Sequence, residues 1–157
     1  MKNISQLILH SPYKEPDSHW SYDRDKKEFE LKEGRRSAGY VIASSDSSSW
    51  DDPGIFREIP LVNQIRVRVK SWRENGYKGV TGITKHLLDC WNNFEGRENR
   101  LFFCQIEAIE TLIWLIESQD SEKLGIEIPS DGGNFQRLCS KMADRKSTRL
   151  NSSHGKL

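Results

Sequence analysis

The sequence predicts an α/β fold, of which this stretch holds an α+β portion, and three observations carry that expectation. Residues 1 to 43 hold short apolar groups (Ile4, Leu7, Ile8, Leu9; Phe29, Leu31; Tyr40, Val41, Ile42) broken by Pro, Gly and charge clusters, the pattern of strands or a small sheet rather than of helix. Residues 59 to 118 carry apolar stripes at helical spacing. Phe135 to Ala143 then reads as an entering strand with no apolar element after it, so the whole resembles the opening of a larger α/β domain.

Between the strand-like and helical parts lies ASSDSSSWDDPG, Ala43 to Gly54, rich in Ser and Asp. It predicts a solvated loop, and we set the flexible region at 44 to 58. From Pro60, Val62, Ile65, Val69 and Trp72 recur at intervals of three and four, and Asn75 and Gly76 stop the helix. Proline suits the first helical turn, where its missing N–H has no partner to lose, and glycine takes the left-handed conformation that closes a helix. A second helix is expected after Thr81, whose hydroxyl can cap it, through Ile83, Leu87, Leu88 and Trp91. The short turn-rich connection ENGYKGVTG predicts that these two helices pack as a hairpin and bury Trp72 with Trp91 or nearby side chains. A third helix, about Asn99 to Ser118, carries Phe102, Ile106, Ile109, Leu112, Ile113 and Ile116, with Phe103, Trp114 and Leu115 widening the apolar surface. Such a helix demands contacts on several sides.

Composition narrows the functional classes. A chain of 157 residues with 35% apolar and 30% charged residues has the material for one modest core, and a net charge of +1 selects no partner. No apolar run approaches a bilayer span and the amino terminus lacks a signal-peptide pattern, so the expected location is cytoplasmic, with no membrane partner. Cys90, Cys104 and Cys139 lie far apart without a C-x-x-C pair and are expected reduced. We read His10, His19 and His86 as having no ligand spacing with one another or with a cysteine, so no metal site is expected. Arg66, Arg68, Lys70 and Arg73 lie mostly off the apolar stripe of the first helix. They are candidate nucleic-acid contacts, beside the plainer reading of a solvated helix face.

Four segments carry a more specific resemblance: HSPYKEPDSHW (His10 to Trp20), EGRRSAGYVI (Glu33 to Ile42), LVNQIRVRVKSWRENGYKGVT (Leu61 to Thr81) and RLFFCQIEAIETLIWLIE (Arg100 to Glu117). In content and order they resemble the R (Res) subunits of type III restriction enzymes, ATP-dependent helicases of the DEAD/DEAH-like superfamily 2 class, over about Ile8 to Ala143 apart from the Ser-rich loop. The resemblance implies that Phe135 to Ala143 is the first strand of a RecA-like helicase domain. It implies a DNA translocase in a restriction system, with ATP and Mg2+ as cofactors and DNA and a modification (methyltransferase) subunit as partners. It also implies that Gln105 stands where such proteins keep a glutamine that reads adenine. A carboxamide offers one acceptor and two donors in a plane, which suits adenine's N6 donor and N7 acceptor.

The sequence departs from the family after KMA. A phosphate loop of the form G-x-x-x-x-G-K-[ST] is expected there, its backbone N–H groups cradling phosphates; the chain reads KMADRKSTRLNSSHGKL, with Leu157 after Lys156 where Ser or Thr belongs. Asp144 to His154 resembles a translated sequencing adapter, so residues 144 to 157 are read as a non-native tail. That tail carries four basic groups against Asp144, which leaves residues 1 to 143 at a net charge of −2. The expected molecule is an inactive amino-terminal fragment whose helical region, 59 to 143, leads into a truncated first helicase lobe. It should self-associate through the third helix and the strand edge at 135 to 143. The alternative is a small nucleic-acid- or protein-binding module that uses the basic face of helix 60–75.

Overall fold

The computed structural model describes residues 10–23, 25–43, 54–93, 99–129 and 132–133. The expected strand at 135–143, the tail at 144–157 and residues 44–53 of the Ser-rich loop lie outside them. The architecture is α+β, two small antiparallel sheets followed by three helices.

Strand β1 (Ser18–Asp23) pairs antiparallel with β2 (Glu28–Glu33), so that His19 faces Lys32 and Tyr22 faces Phe29. Asp23 folds the connection: its Oδ1 accepts from the backbone N–H of Asp25 at 2.9 Å and of Lys26 at 3.2 Å. At the open end the Gly34 N–H donates to the Asp17 carbonyl at 2.6 Å. Strand β3 (Gly39–Ile42) pairs antiparallel with β4 (Ile55–Glu58). The flexible region set at 44 to 58 therefore ends too late, because Ile55–Glu58 find backbone partners in β3 that a local reading of Pro53 and Gly54 does not reveal.

Helix α1 (Pro60–Glu74) starts on Pro60 and ends in a glycine closure whose hydrogen bonds can be followed one by one. The Gly76 N–H donates to the Arg73 carbonyl and the Tyr77 N–H to the Trp72 carbonyl, each at 3.0 Å, with Gly76 left-handed at φ 77°. This paired closure satisfies carbonyls that the helix end would otherwise strand. It also folds Tyr77 back onto Trp72, ring centroids 5.0 Å apart and nearly perpendicular.

Helix α2 (Gly82–Asn92) is capped by Thr81, whose side chain accepts from the Thr84 N–H at 3.2 Å. Helix α3 (Phe103–Glu117) packs against both α1 and α2. The first two helices share one core, as expected of neighbours joined by a short turn, and both also lean on the third, which carries apolar surface enough for two partners. Trp72 is accordingly buried against Tyr77, while Trp91 packs half-buried on the same cluster of Ile65, Val69, Trp72, Tyr77, Leu88 and Trp114. The buried line of α3 also differs from the stripe expected. It runs Ile106, Glu110, Trp114, with Phe102 and Ile116 of the expected stripe exposed.

Candidate functional site

The middle of α3 holds a carboxylate where its apolar neighbours predict a hydrocarbon. Glu110 is fully buried, and a buried carboxylate is tolerated only when hydrogen bonds and an opposite charge replace its lost water. The closure of α1 supplies both. Tyr77, folded back by Gly76, donates its hydroxyl to Glu110 Oε1 at 2.6 Å. Arg73, in the last turn of α1, donates Nε to the two carboxylate oxygens at 3.0 and 2.8 Å and Nη2 to Oε2. Asn92, at the end of α2, donates to the Tyr77 oxygen at 3.0 Å, so all three helices meet on this one group. Burial pulls the Arg73 guanidinium down, but its hydrogen bonds and charge pairing with Glu110 outweigh that and hold it above its usual range. Burial, reinforced by Glu110, pushes the Tyr77 phenol well above its ordinary value.

One turn earlier a second carboxylate ties the sheets to the helices. Glu107 receives both terminal nitrogens of Arg35, from the segment between β2 and β3, with Arg66 of α1 at 4.0 Å. Burial, then repulsion from Arg35, lowers the Arg66 guanidinium from its usual value. Phe103 lies beside the network, with the Arg35 and Arg73 guanidinium carbons 5.3 and 5.6 Å from its ring centroid. Asn63 adds a neutral clasp: its side chain accepts from the Ala38 N–H at 2.7 Å and donates to the Ala38 carbonyl at 3.3 Å.

The four residues expected to face nucleic acid therefore do not present one free basic face. Arg66 and Arg73 are half-buried and turned onto the carboxylates of α3. Lys70 donates to Glu15 at 2.9 Å, a hydrogen bond that raises its ammonium above the usual value, and Arg68 donates to the Leu124 carbonyl at 3.3 Å. Reading along the sequence missed Glu107 and Glu110 as organising residues. The available signal was two acids one turn apart in the largely apolar middle of the third helix, opposite Arg66 and Arg73 two turns apart in α1.

Gln105 stands in the first turn of α3, half-buried, and its Oε1 accepts from the Phe102 N–H at 2.9 Å. The segment before β1 closes over this end. The Pro12 carbonyl accepts from the Phe103 N–H at 2.9 Å, Tyr13 meets the Phe102 ring at 5.6 Å, and Arg100 lies 4.3 Å over Tyr13. Gln105 thus has a structural role as a helix-start acceptor. Its amide N–H groups and a second lone pair have no partner among the described residues, and these are the atoms that a planar heterocycle would use.

Cys90 and Cys104 are free thiols, and Cys139 lies outside the described residues. His86 and Cys90, set aside above as lacking ligand spacing, sit one turn apart on α2 with Nε2 and Sγ 3.8 Å apart. The helical repeat brings together residues four apart. Among the described residues no three His, Cys, Asp or Glu side chains gather as a metal site, and no helix is long and apolar enough to cross a membrane. Fold and site together define an α+β protein whose helices meet on a buried, arginine-paired carboxylate. No family model, curated protein or solved structure matches the chain.

Proposed function

We propose that this chain is the amino-terminal part of the DNA-translocating, ATP-dependent helicase subunit of a type III restriction system, and that it does not turn over ATP by itself. The observation that carries the proposal is Gln105, a half-buried carboxamide in the first turn of α3 with donors to spare, inside the segment that most resembles that family. Its plane could take the adenine edge while the helix start aligns it. Phosphate and Mg2+ binding belongs to a glycine-rich loop that the residues after Ala143 do not form. DNA and a modification subunit are the partners this reading assigns to the whole parent protein. The exposed Ile116 and Leu124 are surfaces through which the isolated chain would self-associate.

Two measurements test the proposal. An independent, adapter-trimmed read of the coding DNA beyond codon 143 should recover a glycine-rich Lys-Thr or Lys-Ser loop; an open reading frame without one would remove the ATPase assignment. The purified chain should show no DNA-stimulated ATP hydrolysis, and turnover that survives removal of residues 144 to 157 would overturn the account of an inert fragment. The basic-face alternative has less support, since Arg66 and Arg73 already serve carboxylates of the same chain.

A further inference from the structure

A cleft of about 550 Å³ opens between the β1–β2 and β3–β4 hairpins, with Arg35, already paired to Glu107, among its lining residues. Its charge is distributed unevenly. Lys32 projects from β2 opposite His19; the nearest acid on its strand face, Glu30, is taken by Lys26 at 2.6 Å. Arg36 also lines the cleft, and neither it nor Lys32 makes an ion pair with another described residue. Glu58, the one acid among the lining residues, already accepts the Ser37 hydroxyl at 2.8 Å. A hydroxyl leaves the Glu58 charge in place, so Lys32 and Arg36 give the cleft a net excess of one positive charge beside the Arg35–Glu107 pair.

Aromatic rings complete the surface. Phe29 and Phe56 line the cleft and are 40% and 36% exposed, so part of each ring is open to solvent. The Arg36 guanidinium lies over the Phe56 ring, 5.0 Å from its centroid, and forms with it a flat cationic platform. Gly39 lets the ring tip settle on the strand: a Cβ there would overlap Phe56 and the Arg57 carbonyl. The position of the ring is thus built into β3 and not merely left over by folding.

We propose that this cleft binds single-stranded nucleic acid, with Lys32 and Arg36 on successive phosphates and a base stacked on the Phe29 or Phe56 surface. Positive charge that tracks a backbone, interleaved with open aromatic faces, is the chemistry that holds unpaired bases without regard to sequence. A duplex hides its base faces and is too wide for a cleft of this volume. An acidic peptide would use the cations and leave the rings idle. The inference does not rest on the ATPase assignment, since the hairpins and the segment between them carry every residue it uses.

The test is fluorescence anisotropy of the 157-residue chain with a labelled short oligothymidylate. Two phosphate contacts predict binding roughly sevenfold weaker at about 200 mM than at about 50 mM salt, and Lys32→Gln and Arg36→Gln should each lower the salt slope by about 0.7. Phe29→Leu or Phe56→Leu, whichever ring takes the base, should weaken binding about fivefold or more at unchanged salt slope. Lys32 and Arg36 are exposed, so their variants report on binding even if a phenylalanine variant folds poorly. Four outcomes would overturn the proposal: no binding at about 50 mM salt; affinity unchanged in both charge variants; a matching duplex bound as tightly as the single strand; or polyglutamate bound equally well and indifferent to the phenylalanines. Failure here leaves the ATPase proposal standing, and failure of the coding-sequence test leaves this one standing.

Discussion

Every buried residue among those described lies between Ile65 and Ser118, while the four strands from Ser18 to Glu58 contain none. The helical region has a packed interior in which Trp72, Leu88, Val69 and Trp114 are almost wholly removed from water. The hairpins leave Leu31, Tyr40 and Val41 each at least half exposed and are tied to the helices by polar clasps, Arg35 to Glu107 and Asn63 to Ala38. The two regions of one small protein are therefore held differently. Apolar burial fixes the helices through a large summed area, whereas directional hydrogen bonds fix the hairpins through a few atoms. A region of the second kind opens at lower free energy and is free to display aromatic side chains.

The sharpest way to break this contrast is to remove the charge on which the helices converge. Glu110→Ala should cost about 3–5 kcal/mol, because it strands Arg73 and leaves a void beside Tyr77, whereas Val41→Ala on β3 should stay within about 0.5 kcal/mol. Equal losses in urea unfolding would show that the hairpins share the core. Next in size is Arg35→Ala, expected to cost about 1.5–3 kcal/mol for a partly buried charged hydrogen bond. Its signature is local: amide exchange should accelerate in β1 to β4 and stay slow in α1 and α3. Uniform acceleration would mean that the two regions unfold as one.

Alkaline pH sharpens the comparison from the helical side. Native Tyr77 stays neutral above pH about 10, where an unfolded tyrosine ionises, so in that window the unfolded state binds fewer protons and stability falls as pH rises. The contribution is fully present below the unfolded pKa and declines by up to about 1.4 kcal/mol per pH unit above it. Tyr77→Phe should remove this part of the slope; identical alkaline profiles for the two proteins would refute the shift. The smallest effect expected is Thr81→Ala, about 1 kcal/mol, for losing the cap of α2. It should be felt in α2 amides and leave hairpin exchange untouched.

Much of the helical region was legible in the sequence. Pro60, Asn75 with Gly76, and Thr81 mark helix ends by chemistry confined to a few neighbouring residues, and the structure uses each in that way. The stripe Ile65, Val69, Trp72 likewise follows from the helical repeat alone. The α3 stripe was read less well, since a helix apolar on most sides does not announce which side faces inward. The candidate site was the least legible part. Arg66 and Arg73 looked like free charge because their partners, Glu107 and Glu110, lie about forty residues further along the chain.

Local spacing, capping chemistry and proline and glycine placement by themselves determined where the helices begin and end, because those effects act within one or two turns. Only the tertiary structure decided that α3 would receive both other helices, that Glu110 would be buried, and that Arg66 and Arg73 of α1 would turn inward. The physical reason is the cost of burying a charge: once α3 is enclosed its carboxylates must be neutralised, and which arginines reach them is settled by packing across the chain.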